Sequence, residues 1–200
     1  MSRTRPAAPL TLILAGALLG LAACTVPGTP PTARETIPHD APTGQTLAQA
    51  RAAIESIPGI AVTDFTGGTA PNIKGNTGYH VGISVDPGHS IQAGDALVDY
   101  IVLTTWSVGE GYKPTTQIAI SSSTVDGQPP FDLAAAGVKS GWTIKQSTPA
   151  AAADQYSSIV VELNPDDAQG ARNLATLGGG DTWPGAAPAP LPGTVVVHLD

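Results

Sequence analysis

The clearest strand pattern in the sequence is Tyr79-His80-Val81-Gly82-Ile83-Ser84-Val85. Its large apolar residues fall at every second position, which is the period of a β-strand with one buried face. A turn at residues 86–88 follows, and an apolar stripe at helical spacing predicts a helix from Ser90 to about Val108. A second alternating run, from Thr116 to Ser122, predicts the next strand. Strand, helix and strand over this distance form a crossover, so we expect two parallel strands with a helix packed on one face of their sheet.

The remaining elements extend this sheet and its helical layer. A capping box at Thr46 begins a helix that Pro58 and Gly59 end. We also expect a strand at 60–65, one helical turn at 131–137, paired short strands at 142–146 and 157–163, a helix from Asn164 to Leu177 and a last strand at 195–199. The predicted fold is α+β: a two-layer sandwich with a mixed sheet and helices on one face, of which a ferredoxin-like arrangement is one form.

The first 24 residues have the three parts of an export signal. Arg3 and Arg5 precede an uncharged apolar run from Leu10 to Leu21, and small residues follow it. The apolar run has about a dozen residues, whereas a helix that crosses a membrane needs roughly 20. The pattern therefore indicates a cleaved signal and not a permanent membrane span.

Leu21-Ala22-Ala23-Cys24 resembles the lipobox of bacterial lipoproteins and contains the only cysteine of the chain. The resemblance implies that residues 1–23 are removed and that Cys24 becomes the acylated first residue, with palmitate as an expected fatty acid. Buried lipid methylenes contribute about 0.8 kcal/mol each to anchoring. The implied location is the extracytoplasmic side of the cell membrane. The alternative is an ordinary signal peptide, with Cys24 as a free or buried thiol.

Three regions follow from these patterns: a signal peptide at 1–23, the acylated Cys24 with a Pro- and Thr-rich tether at 24–44, and a single α+β domain at 45–200. The lipobox, the tether and the composition together resemble the small secreted lipoproteins of unknown function in actinobacteria. That resemblance supplies no catalytic residue.

The charge balance limits the classes of partner. Loss of Arg3 and Arg5 with the signal leaves seven basic residues against 16 acidic ones, which gives the exported chain a net charge of −9. Such a chain is not expected to bind nucleic acid or anionic lipid headgroups, both of which attract basic surfaces. Since one cysteine cannot form an internal disulfide, the fold must depend on its hydrophobic core.

The outer face of the predicted 90–108 helix is a candidate partner surface. It carries Asp95, Asp99, Leu103 and Trp106, and an exposed Leu beside a Trp is unusual on a solvated face. Two interpretations remain open. Either these residues form an apolar patch with an acidic rim for a partner or ligand, or a later segment covers them, for which the Pro-rich stretch around Trp183 is the obvious candidate.

The sheet face opposite the helices is a second candidate surface. It would present small polar groups that could bind a polar ligand or a protein, or could simply be solvated. These residues are His80, Ser84, Gln117, Ser121, Ser123, Glu162 and His198. The four histidines lack metal-ligand spacing, no Gly-x-Ser-x-Gly motif is present, and we expect neither a metal nor another cofactor.

These observations favour a non-enzymatic interaction or scaffold module of the cell envelope, anchored by lipid, that recruits another envelope protein. A small-ligand binding lipoprotein in transport or sensing is the alternative, and a hydrolase is a third class. An exposed Trp106 patch would indicate the first function and an enclosed apolar pocket the second. A convergent cluster of His, carboxylate and Ser would indicate the third.

Overall fold

The computed structural model describes residues 36–124, 131–144 and 156–199. The lipobox and the first part of the tether lie outside these ranges. The helices are α1 (Leu47–Glu55), α2 (Gly94–Trp106), α3 (Leu133–Lys139) and α4 (Ala168–Thr176), with a 3₁₀ turn at Gly180–Thr182. The strands are β1 (Ile60–Gly67), β2 (Gly78–Val85), β3 (His89–Ile91), β4 (Gln117–Thr124), β5 (Tyr156–Glu162) and β6 (Val196–His198). Within the described ranges, no helix has the length and hydropathy needed to cross a bilayer.

The main sheet contains four strands in the order β1-β2-β4-β5. β2 and β4 are parallel, whereas β1 and β5 run antiparallel to their neighbours. The predicted α+β class, with a mixed sheet, is confirmed, and so is the crossover through α2. The element order of a ferredoxin-like fold is β-α-β-β-α-β. The chain does not follow it, because α3 connects the antiparallel strands β4 and β5, which leaves a single parallel crossover.

The core lies between the four helices and one face of this sheet. The alternating residues of β2, from Tyr79 to Val85, are all nearly inaccessible. They share one hydrophobic cluster with Leu97 and Ile101 of α2 and with Ile118 and Ile120 of β4. Full burial of such a side chain contributes about 1.5–3 kcal/mol, so this layer is a major stabilising part of the fold.

The C-terminal strand does not join the main sheet. β6 pairs with β3 in a separate two-stranded sheet, in which Ser90 faces Val197 and His89 faces His198. The helix predicted from Ser90 therefore begins only at Gly94, because Ser90 is used in strand pairing and not as a cap. His198 is consequently absent from the polar face of the main sheet, where the sequence pattern placed it.

Two other predicted boundaries change. α4 begins after Asp167, whose carboxylate accepts hydrogen bonds from the backbone N–H groups of Gln169 and Gly170. The predicted cap, Asn164, instead accepts a bond from the Asp166 N–H in a tight turn. Residues 142–144 form no strand, and the rest of that predicted strand, at 145–146, lies outside the described residues.

The end of the predicted tether belongs to the folded domain. The Pro38 carbonyl accepts a hydrogen bond from the Lys113 N–H, and the Asp40 N–H donates to the Gly111 carbonyl. Gln45 donates to the Ser107 carbonyl at the end of the same segment. Proline lacks a donor but keeps its acceptor, so a Pro-rich segment can dock through its carbonyl groups. The last part of the predicted tether, residues 38–44, is therefore hydrogen-bonded to the domain.

Candidate functional site

The helix face proposed as a partner surface is covered. Trp106 is 1% exposed. The Gly185 N–H lies 3.4 Å from the Trp106 carbonyl oxygen, and a Cβ on Gly185 would lie 2.8 Å from the indole ring. Leu103 is partly buried against the core. The Pro-rich segment after Trp183 thus closes over this face, which was the second of the two interpretations.

The two carboxylates of that helix face also have structural partners. Asp99 accepts a hydrogen bond of 2.6 Å from the indole Nε1 of Trp142, and Asp95 forms an ion pair of 3.0 Å with Lys139. Partial burial raises the pKa of Asp99, whereas the hydrogen bond from Lys139 lowers the pKa of Asp95. Asp95, Asp99, Leu103 and Trp106 therefore hold α2 against its neighbours and do not form an open apolar patch.

The opposite surface of the main sheet, which we call the open face, carries the other candidate residues. His80 and Ser84 of β2 are partly exposed on it. In register with this row, β4 contributes Gln117, Ser121 and Ser123 and β5 contributes Glu162. Six of the seven residues expected on this face are present, and His198 is the exception.

A β-bulge places Asp64 on the open face as well. Val62 pairs with Ile83, but the next pair is Asp64 with Gly82, so Thr63 is an extra residue in β1. Without the bulge Asp64 would point toward the core, because successive side chains of a strand alternate between faces. The extra residue places Asp64 on the open face instead, and bulges are known to redirect side chains in this way.

Asp64, His80 and Ser121 form a hydrogen-bonded row across three adjacent strands. The Oδ2 atom of Asp64 is 2.7 Å from Nδ1 of His80. On the other side of the ring, Nε2 of His80 is 3.1 Å from the Oγ atom of Ser121. Gly82 of β2 pairs with Asp64 of β1 on one side and with Ser121 of β4 on the other. His80, two residues earlier in β2, therefore reaches both of them diagonally.

The protonation of the row follows from its charges. The hydrogen bond from His80 holds the pKa of Asp64 below its ordinary value, so this carboxylate is ionised and can only accept. The Nδ1 atom of His80 must then carry the proton. In the neutral ring, Nε2 is the acceptor, and the hydroxyl of Ser121 donates to it. The Thr66 hydroxyl lies 3.3 Å from the same Asp64 oxygen and gives it a second donor.

The members of the row differ in accessibility. The side chains of His80 and Asp64 are 39% and 45% exposed, whereas Ser121 is 5% exposed. At the β5 edge of the open face, Tyr156 and Val160 are 58% and 38% exposed. The open face is thus mostly polar, with one accessible aromatic ring at its edge.

The sequence pattern named His80 and Ser121 but missed Asp64. The omitted signal is the spacing between Val62 and Phe65, both 5% exposed. A regular strand cannot direct residues three apart to the same face, so two core residues at this spacing indicate a bulge between them. The two residues between Val62 and Phe65 then face outward.

Other polar clusters among the described residues have structural explanations. Shallow clefts of roughly 200 and 250 Å³ lie beside Asp40 and Glu110. Both carboxylates, however, accept backbone hydrogen bonds, from Gly111 and Leu47 respectively. No group of three metal-ligating side chains occurs within residues 36–124, 131–144 and 156–199. The open face is therefore the surface whose polar groups are accessible without being fully used by the fold.

Comparisons with protein-family models, with curated proteins and with solved structures found no match to this chain.

Proposed function

We propose that this chain is a lipoprotein attached through Cys24 to the extracytoplasmic side of the cell membrane, and that its domain binds a polar ligand on the open face. The observation that carries the proposal is the Asp64–His80–Ser121 row, which presents ordered polar groups on an accessible surface. Anchoring at Cys24 rests on the lipobox pattern. The tether that follows Cys24 is docked on the domain by backbone hydrogen bonds from Pro38 onward.

The chemistry of the open face favours an uncharged ligand that is rich in hydroxyl groups. Ser84 and Ser123 carry hydroxyls that can both donate and accept, and Asp64 and Glu162 supply further acceptors. The net charge of −9 that the exported chain would have disfavours anions. The exposed ring of Tyr156 offers an apolar surface with a polar tip. Carbohydrate is the ligand class that combines these properties.

A protein-recruiting scaffold has less support than ligand binding. The apolar patch that favoured it, around Leu103 and Trp106, is covered. Stable protein interfaces have an apolar core with aromatic anchors. On the open face, Tyr156 and Val160 are the exposed large apolar side chains among the described residues. This surface suits a small polar ligand better than a stable protein partner.

Metabolic labelling with a tagged fatty acid tests the anchor. The wild-type chain and a Thr25→Ala control should incorporate label and remain in the membrane fraction. Cys24→Ala should lose both label and membrane association. Equal labelling of Cys24→Ala would contradict anchoring at this residue.

Thermal shift with purified cell-wall oligosaccharides tests the ligand. Ser84→Arg places a large charged side chain on the open face, whereas Ala52→Arg places the same side chain on the exposed surface of α1. We expect oligosaccharide to raise the melting temperature of the wild type and of Ala52→Arg but not of Ser84→Arg. The carbohydrate proposal would be rejected by absence of a shift in the wild type, and the proposed site by an equal shift in Ser84→Arg.

A further inference from the structure

The Asp64–His80–Ser121 row has the atom order of a nucleophile, a base and an orienting carboxylate. A serine hydroxyl faces Nε2 of an imidazole at 3.1 Å, and a carboxylate holds Nδ1 of the same ring at 2.7 Å. Such constellations are recognised by geometry and roles and recur on unrelated folds. We infer that Ser121 is a nucleophile that accepts an acyl group from an activated carboxylic ester, with His80 as the general base and Asp64 as a positioning residue.

The proposed acyl transfer needs only the ester, the Ser121 hydroxyl and the His80 imidazole. The Oγ atom of Ser121 attacks the ester carbonyl carbon as its proton passes to Nε2 of His80. The bond between that carbon and the alcohol oxygen then breaks, and His80 returns the proton to the departing alkoxide. The products are an ester on Ser121 and a free alcohol. Water, activated by the same imidazole, can later hydrolyse the acyl-serine and restore the hydroxyl.

The local backbone is built around this row. The bulge at Thr63 brings Asp64 onto the open face, and Gly82 leaves room for it there. A Cβ on Gly82 would lie 2.6 Å from the Thr63 hydroxyl oxygen and 3.3 Å from the Asp64 nitrogen. Two separate features of the chain, an inserted residue and a missing side chain, are therefore needed to place the carboxylate beside His80.

The strand pairing and burial around Ser121 limit the rate of acyl transfer and the size of the acyl group. β4 is paired with a strand on each side, so the N–H groups around Ser121 are used in the sheet and do not form an oxyanion hole. Loss of one oxyanion donor slows acyl transfer by about 10²–10³-fold. Because Ser121 is only 5% exposed, a bulky acyl group cannot reach it. We therefore expect slow acylation by small esters with good leaving groups, and acetyl as the preferred acyl group.

Reaction of the full-length protein with p-nitrophenyl acetate tests the inference. We expect the protein to release p-nitrophenol from the ester, and mass spectrometry to locate an acetyl group on Ser121. Ser121→Ala should abolish this product, and His80→Gln should slow it by about 100-fold or more. Ser90→Ala, in the separate two-stranded sheet, is the matched control and should react like the wild type.

Two further variants separate chemistry from folding. Ser121→Cys keeps a nucleophile in place and should be acetylated at the new thiol, faster than the serine is. Asp64→Asn should lower the acetylation rate and change its pH profile while the melting temperature stays the same. Acetylation that persists in Ser121→Ala, or that is unchanged in His80→Gln, would overturn the inference. The ester alone is the probe, so this result does not depend on whether the open face binds carbohydrate.

Discussion

The outer face of α2 and the open face of the main sheet carry similar groups but use them differently. Each face has a carboxylate near an aromatic or imidazole ring. On α2, Asp99 accepts a hydrogen bond from Trp142, and Trp106 is buried beneath the segment that follows Trp183. On the sheet, Asp64 and His80 bond to each other and remain more than one-third exposed. The comparison shows that residue type alone does not identify a site, because what distinguishes the two faces is whether later elements cover them.

The largest expected effect comes from removing the indole on the covered face. Trp106→Ala should lower the free energy of unfolding by about 3–5 kcal/mol, since it empties a fully buried site. Its Nε1 atom is buried with no hydrogen-bond partner among the described residues. Trp106→Phe should therefore cost far less than the alanine variant. Urea unfolding of both variants measures the difference, and a small loss in Trp106→Ala would show that this face is not part of the core.

The next largest effect on stability is expected in a buried hydrogen-bond network around Asn173 of α4. Asn173, which is 2% exposed, donates to the carbonyls of Trp142 and Glu162 and accepts from Gln169. Asn173→Leu removes the side-chain donor of the Glu162 carbonyl and one donor of the Trp142 carbonyl, which keeps its contact with Gln169. This loss should cost about 1–3 kcal/mol in urea unfolding. Thr176→Ala, at an exposed position of the same helix, is the control and should cost much less. Equal losses in the two variants would contradict the network.

A smaller, pH-dependent effect is expected at Asp99. Burial raises its pKa in the folded state, so its contribution to stability is present below the unfolded pKa and is lost as pH rises through the folded pKa. Asp99→Asn keeps an acceptor for the Trp142 indole without the charge. We expect the variant to be more stable than the wild type at neutral pH and no more stable in acid. Urea unfolding at neutral and acidic pH measures the difference in free energy of unfolding. Greater stability of Asp99→Asn in acid alone would contradict a raised pKa of Asp99.

The smallest effect on stability is expected from a change beneath the row. Gly82→Ala should push Thr63 and Asp64 aside and weaken the Asp64–His80 hydrogen bond, while the core face of β2 stays intact. Nitrogen NMR of the His80 ring should report the loss of the hydrogen bond at Nδ1. Gly193→Ala, where an added Cβ meets nothing within 4 Å, is the control. An unchanged His80 spectrum in Gly82→Ala would show that the row does not need this glycine.

Much of the fold could be predicted because its apolar residues are periodic. The alternation from Tyr79 to Val85 and the capping box at Thr46 predicted elements that the structure contains. The failures come from pairing between distant segments. The residues around Ser90 give no sign that Ser90 will pair with Val197. The prolines Pro38 and Pro42 indicate a free tether, although this segment docks on the domain through backbone hydrogen bonds.

The candidate site was predictable in part for the same reason. The period of β2 and β4 placed His80 and Ser121 on one face, but the row also requires a register between strands and a bulge in β1. The sequence left open whether Trp106 is exposed or covered, because the answer depends on how the proline-rich segment after Trp183 folds back over α2. Local pattern therefore located the face, and long-range contacts determined its chemistry.

We propose that the open face is a binding site, whereas the outer face of α2 is part of the packed core. The most direct test is the free energy of unfolding of the double variant His80→Ala/Ser121→Ala, measured in urea beside the wild type. We expect a change of no more than about 1 kcal/mol, because the His80 side chain is 39% exposed and a single partly exposed hydrogen bond contributes little net stability. A loss of about 3 kcal/mol, comparable to that expected for Trp106→Ala, would show that the row holds the fold together and would contradict the claim.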